Sequence, residues 1–271
     1  MVVSQDYATE HVAVGQTELM LLEGGTGQPV LVLHGIEGHE GWLAFHAELA
    51  KAHHVLAPSH PGYGQTPAPD WITSIPHQAV FYNWFLQRRD FGPRSVDVVG
   101  IGIGGWIAAQ MAIMCGAPLR HLVLVDAAGL RPPGGDGPET TDVFVTPWRE
   151  VIERGFHAPG ASSEYQRLYA TPLPEYGGVR EAGRTMSVKM CYRPYMFDPS
   201  LESMLAKIDV PTLVVWGDDD RLVSAECGEL FTSAIPGARL RVLANCGHFA
   251  HLEQPQVLAE VVAEFCAGGA R

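Results

Sequence analysis

The sequence predicts an α/β protein built on a mostly parallel, doubly wound sheet. Short apolar runs that end in turn residues alternate with longer segments of helical period along most of the chain. This alternation is typical of a parallel sheet covered by helices on both faces. The length of 271 residues fits one principal domain with room for an inserted segment.

Each predicted strand is followed by a turn at its C-terminal end. The strands are Pro29–Leu33, His54–Ala57, Ser95–Val99, His121–Val125, Thr212–Trp216 and Arg239–Leu243. Helical periodicity predicts helices over Gly41–Lys51, His77–Arg89, Gly104–Cys115, Ala225–Ala234 and Pro255–Cys266. Ligands bind at the C-terminal ends of strands in open α/β sheets, so functional residues are expected in these turns.

The alternation stops between Leu130 and Lys207. This segment contains proline- and glycine-rich stretches and several aromatic residues, namely Phe144, Trp148, Tyr192, Tyr195 and Phe197. Large apolar side chains are costly to leave in water, which favours an inserted helical cap over a disordered linker. We therefore expect a core formed by residues 1–130 and 208–271, and a cap formed by residues 131–207.

The bulk properties exclude several function classes. A net charge of −12 with only 18 scattered Lys and Arg residues argues against nucleic acid as a partner. The N-terminal residues resemble no signal peptide, and no apolar run is long enough to span a bilayer, so a soluble, cytoplasmic protein is expected. Five cysteines without metal-ligand spacing suit reduced thiols. We expect no metal and no cofactor. The oligomeric state, a homodimer included, is left open.

Four turns carry residues suited to chemistry. The glycine-rich turn after Leu33, residues 34–38, has backbone N–H groups that can face a developing negative charge. A second turn, at residues 58–66, is most simply interpreted as a tight surface loop, with a functional role as the alternative. The glycines at 100–105 permit a sharp strand-to-helix turn. Two late strands are followed by loops that carry Asp220 and His248.

Together these turns resemble those of the α/β-hydrolases, and the resemblance extends from Val30 to Pro255. The order of a turn at 102, an acid at 220 and a histidine at 248 is the order of the catalytic triad in that family. Cap-bearing C–C bond hydrolases and their esterase relatives are the most similar members. The resemblance implies that Asp220 orients His248, which acts as the general base.

The resemblance also implies an oxyanion hole formed by the backbone N–H groups of Ile36 and Ile103. The departure from the family lies at the elbow, where G-x-S-x-G reads Gly100-Ile101-Gly102-Ile103-Gly104. Gly102 therefore stands at the position of the nucleophile and has no side chain. Inactivating substitutions are usually to alanine, and Ile101 also differs from the usual histidine, which favours a natural glycine over an engineered one.

A nucleotide-binding alternative rests on the same glycines. Gly100, Gly102 and Gly105 match the G-x-G-x-x-G fingerprint, and Asp126 follows at the distance of a ribose-binding acid. However, two complete strand–turn units precede this motif, and the Asp220 and His248 loops would be left unexplained. The hydrolase fold is therefore favoured.

Three functions are compatible with a glycine at the elbow. In the leading hypothesis, His248 activates a water molecule in the space beside Gly102 for hydrolysis or cleavage of a small apolar carbonyl compound. In the second, His248 deprotonates the substrate itself, as in a lyase, isomerase, cyclase or cofactor-free oxygenase. In the third, the pocket binds a small ligand without catalysis. Asp126 is a candidate second acid or a turn cap.

The predicted pocket is apolar and suits a small, aromatic substrate. Its candidate lining residues are His34, Phe144, Trp148, Tyr195 and Phe249. For His34, a hydrogen bond that holds its turn is the favoured role. The remaining histidines lack paired spacing and are interpreted as surface or structural residues.

Overall fold

The computed structural model describes residues 7–89, 91, 95–114, 118–133, 141–171 and 177–268, without the side chains of 177–180. These residues form one eight-stranded sheet in the order β1-β2-β4-β3-β5-β6-β7-β8. The strands are β1 (Tyr7–Val14), β2 (Thr17–Gly24), β3 (Gln28–Leu33), β4 (His53–Pro58), β5 (Val96–Ile101), β6 (Leu119–Val125), β7 (Thr212–Gly217) and β8 (Arg239–Leu243). Strands β3 to β8 pair in parallel. The predicted parallel sheet and its six strands are confirmed.

An antiparallel N-terminal hairpin extends the sheet beyond the predicted strands. Strand β1 pairs with β2, and β2 pairs with β4, both antiparallel. The hairpin was not predicted, because most residues of β1 are exposed and the strand has no apolar pattern. A signal was present in Gly15, which has φ +61 and starts a two-residue hairpin turn of the kind that favours glycine.

All five helices predicted from apolar periodicity are present, with shifted ends, among the ten α-helices of the described residues. These ten are α1 (Ala44–Leu49), α2 (Ile75–Arg89), α3 (Ile103–Ile113), α4 (Trp148–Arg154), α5 (Ser163–Leu168), α6 (Gly177–Cys191), α7 (Leu201–Leu205), α8 (Ala225–Ala234), α9 (Ala250–Glu253) and α10 (Pro255–Ala267). The helix predicted from Gly41 begins only at Ala44, because Gly41 has φ +83 and lies outside helical geometry.

Alternate residues of the central strands enter two separate apolar cores. Leu122 and Leu124 pack on one face with α2, α3 and α8. Val123 and Val125 pack on the opposite face with α1 and α10. Burial of each such side chain stabilises the fold by about 1.5–3 kcal/mol relative to exposure. The sheet is therefore covered on both faces, and the C-terminal ends of its strands remain available for a site.

Helices α4 to α7 lie between β6 and β7, and the described residues of this segment add no strand to the sheet. A third apolar cluster joins Val151 and Phe156 of this segment to Ile36 and Phe249 of the predicted core. The helical character of the insertion agrees with the prediction, whereas its boundaries at 131 and 207 stay a prediction. Within the described chain, no helix combines the length and hydropathy that a bilayer crossing requires.

Candidate active site

Gly102 forms the sharp turn between β5 and α3. Its backbone has φ 53 and ψ −118, a conformation that residues with a side chain rarely adopt. The close approach of the helix also requires glycine at 104, where an added Cβ would lie 2.2 Å from the carbonyl oxygen of Leu33. An added Cβ on Gly102 would lie 3.2 Å from Nε2 of His248. The side-chain position of Gly102 therefore points at the imidazole of His248.

His248 and Asp220 form a buried pair at the ends of β8 and β7. Nδ1 of His248 lies 2.8 Å from Oδ2 of Asp220, and the two side chains are 4% and 0% exposed. The backbone N–H groups of Leu222 and Val223 donate to Oδ1 of Asp220 at 2.8 and 2.9 Å. Because Asp220 fixes Nδ1, Nε2 of His248 is left to face the elbow.

The surrounding carboxylates favour the protonated imidazole of His248. Burial lowers the pKa of His248, but the charge and hydrogen bond of Asp220, with a smaller contribution from the charge of Glu37, outweigh it and raise the pKa to about 9. A base of this strength holds a proton firmly once it has taken one up. The geometry and the electrostatics therefore suit proton transfer at Nε2.

Asp126 lies at the end of β6 with φ 46. Its Oδ1 accepts a hydrogen bond from the backbone N–H of Gly217 at 2.8 Å, while Oδ2 has no partner in the described part of the chain. Burial and the charge of Asp220 raise the pKa of Asp126 well above its ordinary value. The neutral form of the Asp126 carboxyl is therefore favoured. Asp126 raises the pKa of His248 only when it is ionised. The observed contact agrees with a capping role, and the role of second acid stays a prediction.

The two predicted oxyanion donors belong to Ile36 and Ile103, which adjoin Gly35 and Gly102 in the chain. The Cα of Gly35 is 3.6 Å from the Cβ position of Gly102, and Ile36 follows it in the turn after β3. Ile103 is the first residue of α3, so its N–H lies at the positive end of a helix. Among the described residues, neither Ile36 nor Ile103 donates its backbone N–H to another group. Both N–H groups are therefore without a partner in the described part of the chain, and their role as an oxyanion hole stays a prediction.

His34 holds the turn that contains the predicted oxyanion donor. Its Nδ1 donates to the carbonyl oxygen of Gly35 at 2.8 Å, and its Nε2 accepts the backbone N–H of His60 at 3.0 Å. Burial lowers the pKa of His34 well below its ordinary value, so the ring is neutral. These hydrogen bonds agree with the predicted role of His34 in holding its turn, and its place in the pocket lining stays a prediction.

His60 is a neutral, fully buried histidine with a similar pattern. Its Nε2 lies 2.9 Å from the carbonyl oxygen of His34, and its Nδ1 lies 2.5 Å from the hydroxyl of Tyr82. Burial lowers the pKa of His60 from 6.5 to about 4. Protonation of Nδ1 would replace an acceptor with a donor at the Tyr82 contact. The interpretation of His60 as a structural residue agrees with this geometry.

We expect the protein to lose stability as the pH falls from 6.5 to about 4. In this range the unfolded chain binds a proton at His60 that the folded chain does not, so the free energy of unfolding decreases with decreasing pH. The shift corresponds to about 3 kcal/mol for this one group. Urea denaturation at pH 7, 6, 5 and 4 measures the effect. His60→Gln is expected to show a shallower pH dependence, and an unchanged slope in this variant would contradict the assignment.

The second turn, at residues 58–66, contacts the inserted segment instead of the elbow. The hydroxyl of Tyr63 lies 2.5 Å from Oγ of Ser187 on α6, and a Cβ on Gly62 would lie 2.6 Å from Met186. Gly62 has φ +89, which favours glycine. The turn thus attaches α6 to the sheet.

Glu253 joins the histidine loop to the inserted segment, and sequence analysis did not single it out. Its Oε2 accepts the backbone N–H groups of Gly247 and His157 at 2.8 and 3.0 Å. Its Oε1 accepts that of Ala158 at 2.7 Å. Glu253 therefore fixes the residue that precedes His248 in place. The sequence feature that could have indicated Glu253 is its position shortly after His248 in the chain.

The predicted pocket aromatics have different surroundings. Phe249 is fully buried and packs against Gly155 and Phe156, so it supports His248 by packing. The hydroxyl of Tyr195 donates to the carbonyl oxygen of Thr141 at 3.2 Å and thus serves the inserted segment itself. The remaining two candidates, Phe144 and Trp148, are partly buried against the third apolar cluster.

One group in the described chain has metal-like spacing, at the opposite end of the sheet. The ligand atoms of Asp97, His121 and Cys266 lie within 4.8 Å of one another. Arg120, however, already donates to both oxygens of Asp97, and His121 Nδ1 contacts Oδ1 at 2.9 Å. The cluster is an occupied ion-pair network remote from the elbow.

The chain belongs to the Alpha/beta hydrolase family, whose sequence model matches residues 30–261. It is 26% identical to the 2-hydroxy-6-oxo-6-(2'-aminophenyl)hexa-2,4-dienoic acid hydrolase of Metapseudomonas resinovorans, over 96% of this chain and 91% of that protein. It is also 26% identical to the 2-hydroxy-6-oxo-2,4-heptadienoate hydrolase of Pseudomonas putida, over 94% of this chain and 95% of that protein.

Solved structures share the fold. A serine hydrolase involved in carbazole degradation, the CarC enzyme, matches with a TM-score of 0.78 and 24% identity, over 96% of this chain and 99% of that chain. The 2-hydroxy-6-oxo-6-phenylhexa-2,4-dienoate hydrolase from a Rhodococcus species also has a TM-score of 0.78, with 22% identity over 97% and 99% of the two chains. The predicted α/β-hydrolase fold is confirmed.

Proposed function

We propose that this protein is a cofactor-free enzyme that cleaves a C–C or ester bond of a small apolar carbonyl compound without a side-chain nucleophile. The observation that carries the proposal is the 3.2 Å distance between Nε2 of His248 and the Cβ position of Gly102. A base faces a space at the elbow where the family's G-x-S-x-G motif places a serine. A water molecule in that space takes the place of the serine hydroxyl.

In the proposed reaction, water gives a proton to Nε2 of His248 while its oxygen attacks the carbonyl carbon. The N–H groups of Ile36 and Ile103 bind the oxyanion that forms. The bond to the leaving group then breaks, and its electron pair stays on the leaving carbon or oxygen. His248 returns the proton to that atom, so the products are a carboxylic acid and the protonated leaving group.

The substrate must be activated for this route. Loss of the nucleophile in a serine protease costs about a million-fold in turnover, whereas general-base assistance contributes about 10²–10⁴-fold. A leaving group that is a conjugated, stabilised carbanion lowers the remaining barrier. Two relatives are named as hydrolases of 2-hydroxy-6-oxo dienoic acids, and compounds of this kind meet the requirement.

The raised pKa of His248, about 9, favours a second candidate function. A stronger base is suited to removing a proton from the substrate itself, as in a lyase, isomerase, cyclase or cofactor-free oxygenase. Gly102 then makes room for substrate in place of water. A pocket that binds a ligand without catalysis is the third candidate, and the buried Asp220 and His248 pair argues for catalysis over binding alone.

The test is an assay of the wild-type protein against three compound classes: 2-hydroxy-6-oxo dienoates, activated 4-nitrophenyl esters, and enolisable β-diketones. We expect hydrolytic products from the first class. Isomerised or oxygenated products without hydrolysis favour the second candidate. No turnover in any class, together with a rise in melting temperature on addition of one compound, identifies a binding protein.

Asp220→Asn is expected to move the pH dependence of kcat/KM to lower pH. For a general base the active form is the neutral one, so kcat/KM of the wild type rises with pH up to about 9. Without the Asp220 charge, burial lowers the pKa of His248, and the rise occurs at lower pH with a reduced maximum. Asp218→Asn, an exposed neighbour in the same loop, is the matched control. Identical profiles for Asp220→Asn and the wild type would contradict the proposed role.

A further inference from the structure

Glu37 is a buried carboxylate in the turn after β3, and the mechanism above does not use it. Its side chain is 2% exposed. Oε1 accepts the backbone N–H of Gly35 at 2.9 Å and lies 3.3 Å from Nε2 of His251. Oε2 has no hydrogen-bond partner in the described chain, and neither has Nδ1 of His251. Glu37 and His251 thus form an acid–histidine pair in which one carboxylate oxygen and one ring nitrogen make no hydrogen bond within the described chain.

The pair lies against the proposed oxyanion turn. Oε2 of Glu37 occupies the space over Gly35, only 2.3 Å from where a Cβ on that residue would be. The Cα of the same glycine lies 3.6 Å from the Cβ position of Gly102. Gly35 thus separates the Glu37 carboxylate from the elbow, and His251 lies three residues after His248. A buried, only partly paired carboxylate is costly and is found most often where its charge has a function.

We propose that Glu37, held by His251, is a positioning residue that fixes the oxyanion turn and supplies His248 with a second negative charge beside that of Asp220. This role rests on the proposed function, in which His248 takes up a proton. The imidazolium that forms is surrounded by Asp220 after β7, Asp126 after β6 and Glu37 after β3. A nearby anion in a buried site stabilises the imidazolium.

The charge of Glu37 is the property that matters. Burial raises the pKa of Glu37, but the hydrogen bond and charge of His251 outweigh it and hold the pKa below its ordinary value. The carboxylate of Glu37 is therefore ionised beside His251. Its negative charge also favours a higher pKa at His60 and at Tyr63. Since burial lowers the pKa of His60 to about 4, that histidine is neutral and does not cancel the charge.

The experiment is an NMR titration of the His248 imidazole in protein labelled with ¹³C and ¹⁵N histidine, with His248→Ala used for assignment. Glu37→Gln keeps the acceptor for the Gly35 N–H but removes the charge. We expect the pKa of His248 to fall by about 1 in this variant, a tenfold change in its acid dissociation constant. A purely structural role leaves it unchanged.

Glu23→Gln is the matched control, because Glu23 also pairs with a histidine, His54, at 2.6 Å, but on strands β2 and β4. If Glu37→Gln does not fold, Glu37→Met removes the same charge with little change in volume. An equal His248 pKa in the wild type and in the folded Glu37 variant overturns the proposal, as does an equal fall in Glu23→Gln. No substrate is needed, so the result is independent of whether the proposed reaction is correct.

Discussion

His248→Ala is expected to reduce kcat/KM by about 10²–10⁴-fold on every compound that the wild-type protein turns over. Among the described residues, the imidazole of His248 is the ring whose nitrogen faces the elbow, with Nε2 3.2 Å from the Cβ position of Gly102. Its loss removes the acceptor for the proton of water and the donor for the leaving group. Steady-state kinetics at pH 7 to 9.5 measures the effect.

The control for this variant is His11→Ala, a histidine exposed on β1. Because His248→Ala leaves the buried Asp220 carboxylate without its partner, near-ultraviolet circular dichroism must first establish that the variant is folded. Equal activity of the folded variant and the wild type would show that the reaction takes place elsewhere or without this base.

Gly102→Ser is expected to convert the protein into an esterase that forms a covalent acyl-enzyme. The side-chain position at 102 already points at Nε2 of His248, and the N–H groups of Ile36 and Ile103 are the proposed oxyanion donors, without a partner in the described chain. A serine hydroxyl there acquires base, acid and oxyanion donors together. We expect burst release of 4-nitrophenol from 4-nitrophenyl acetate at a rate at least about 10²-fold above the wild type.

Gly102→Ala is the matched control for this gain. Both substitutions place a Cβ at φ 53 and ψ −118 and carry the same strain, about 1–3 kcal/mol, but alanine lacks the hydroxyl. Intact-protein mass spectrometry should detect an acetyl adduct in Gly102→Ser alone, and the double variant with His248→Ala should lose it. A serine variant as inert as the alanine variant would show that the elbow and histidine do not cooperate as the geometry indicates.

Sequence patterns predict the sheet well because its central strands are buried on both faces. Runs such as His121–Val125 are continuous and apolar, and the structure places alternate residues in two cores. The β1–β2 hairpin escaped prediction because solvent covers most of β1, so neither an apolar run nor strict alternation marks it. Its chief signal was the glycine turn at Gly15.

The candidate site was predictable where it follows chain order and local turns. Asp220 and His248 end successive strands of a parallel sheet, so their loops meet at one edge. The contact between Glu37 and His251 joins residues more than 200 positions apart. No local sequence pattern predicts such a pair. The same holds for Glu253, whose partners His157 and Ala158 lie in the inserted segment.

The protonation states of the histidines also depend on the fold. His34 and His60 carry no distinctive spacing in the sequence, yet burial keeps both rings neutral. Burial alone would have the same effect at His248, where Asp220 reverses it. The sign of such a shift is set by the nearest charge, which only the three-dimensional arrangement supplies.

The central claim is that this chain uses His248 without a side-chain nucleophile. Its most direct test is intact-protein mass spectrometry of the wild-type enzyme, quenched at successive times while it turns over a 2-hydroxy-6-oxo dienoate. We expect hydrolytic product to accumulate while the protein mass remains that of the unmodified chain at every time. An acyl adduct on the wild-type protein, or the absence of any product, would contradict it.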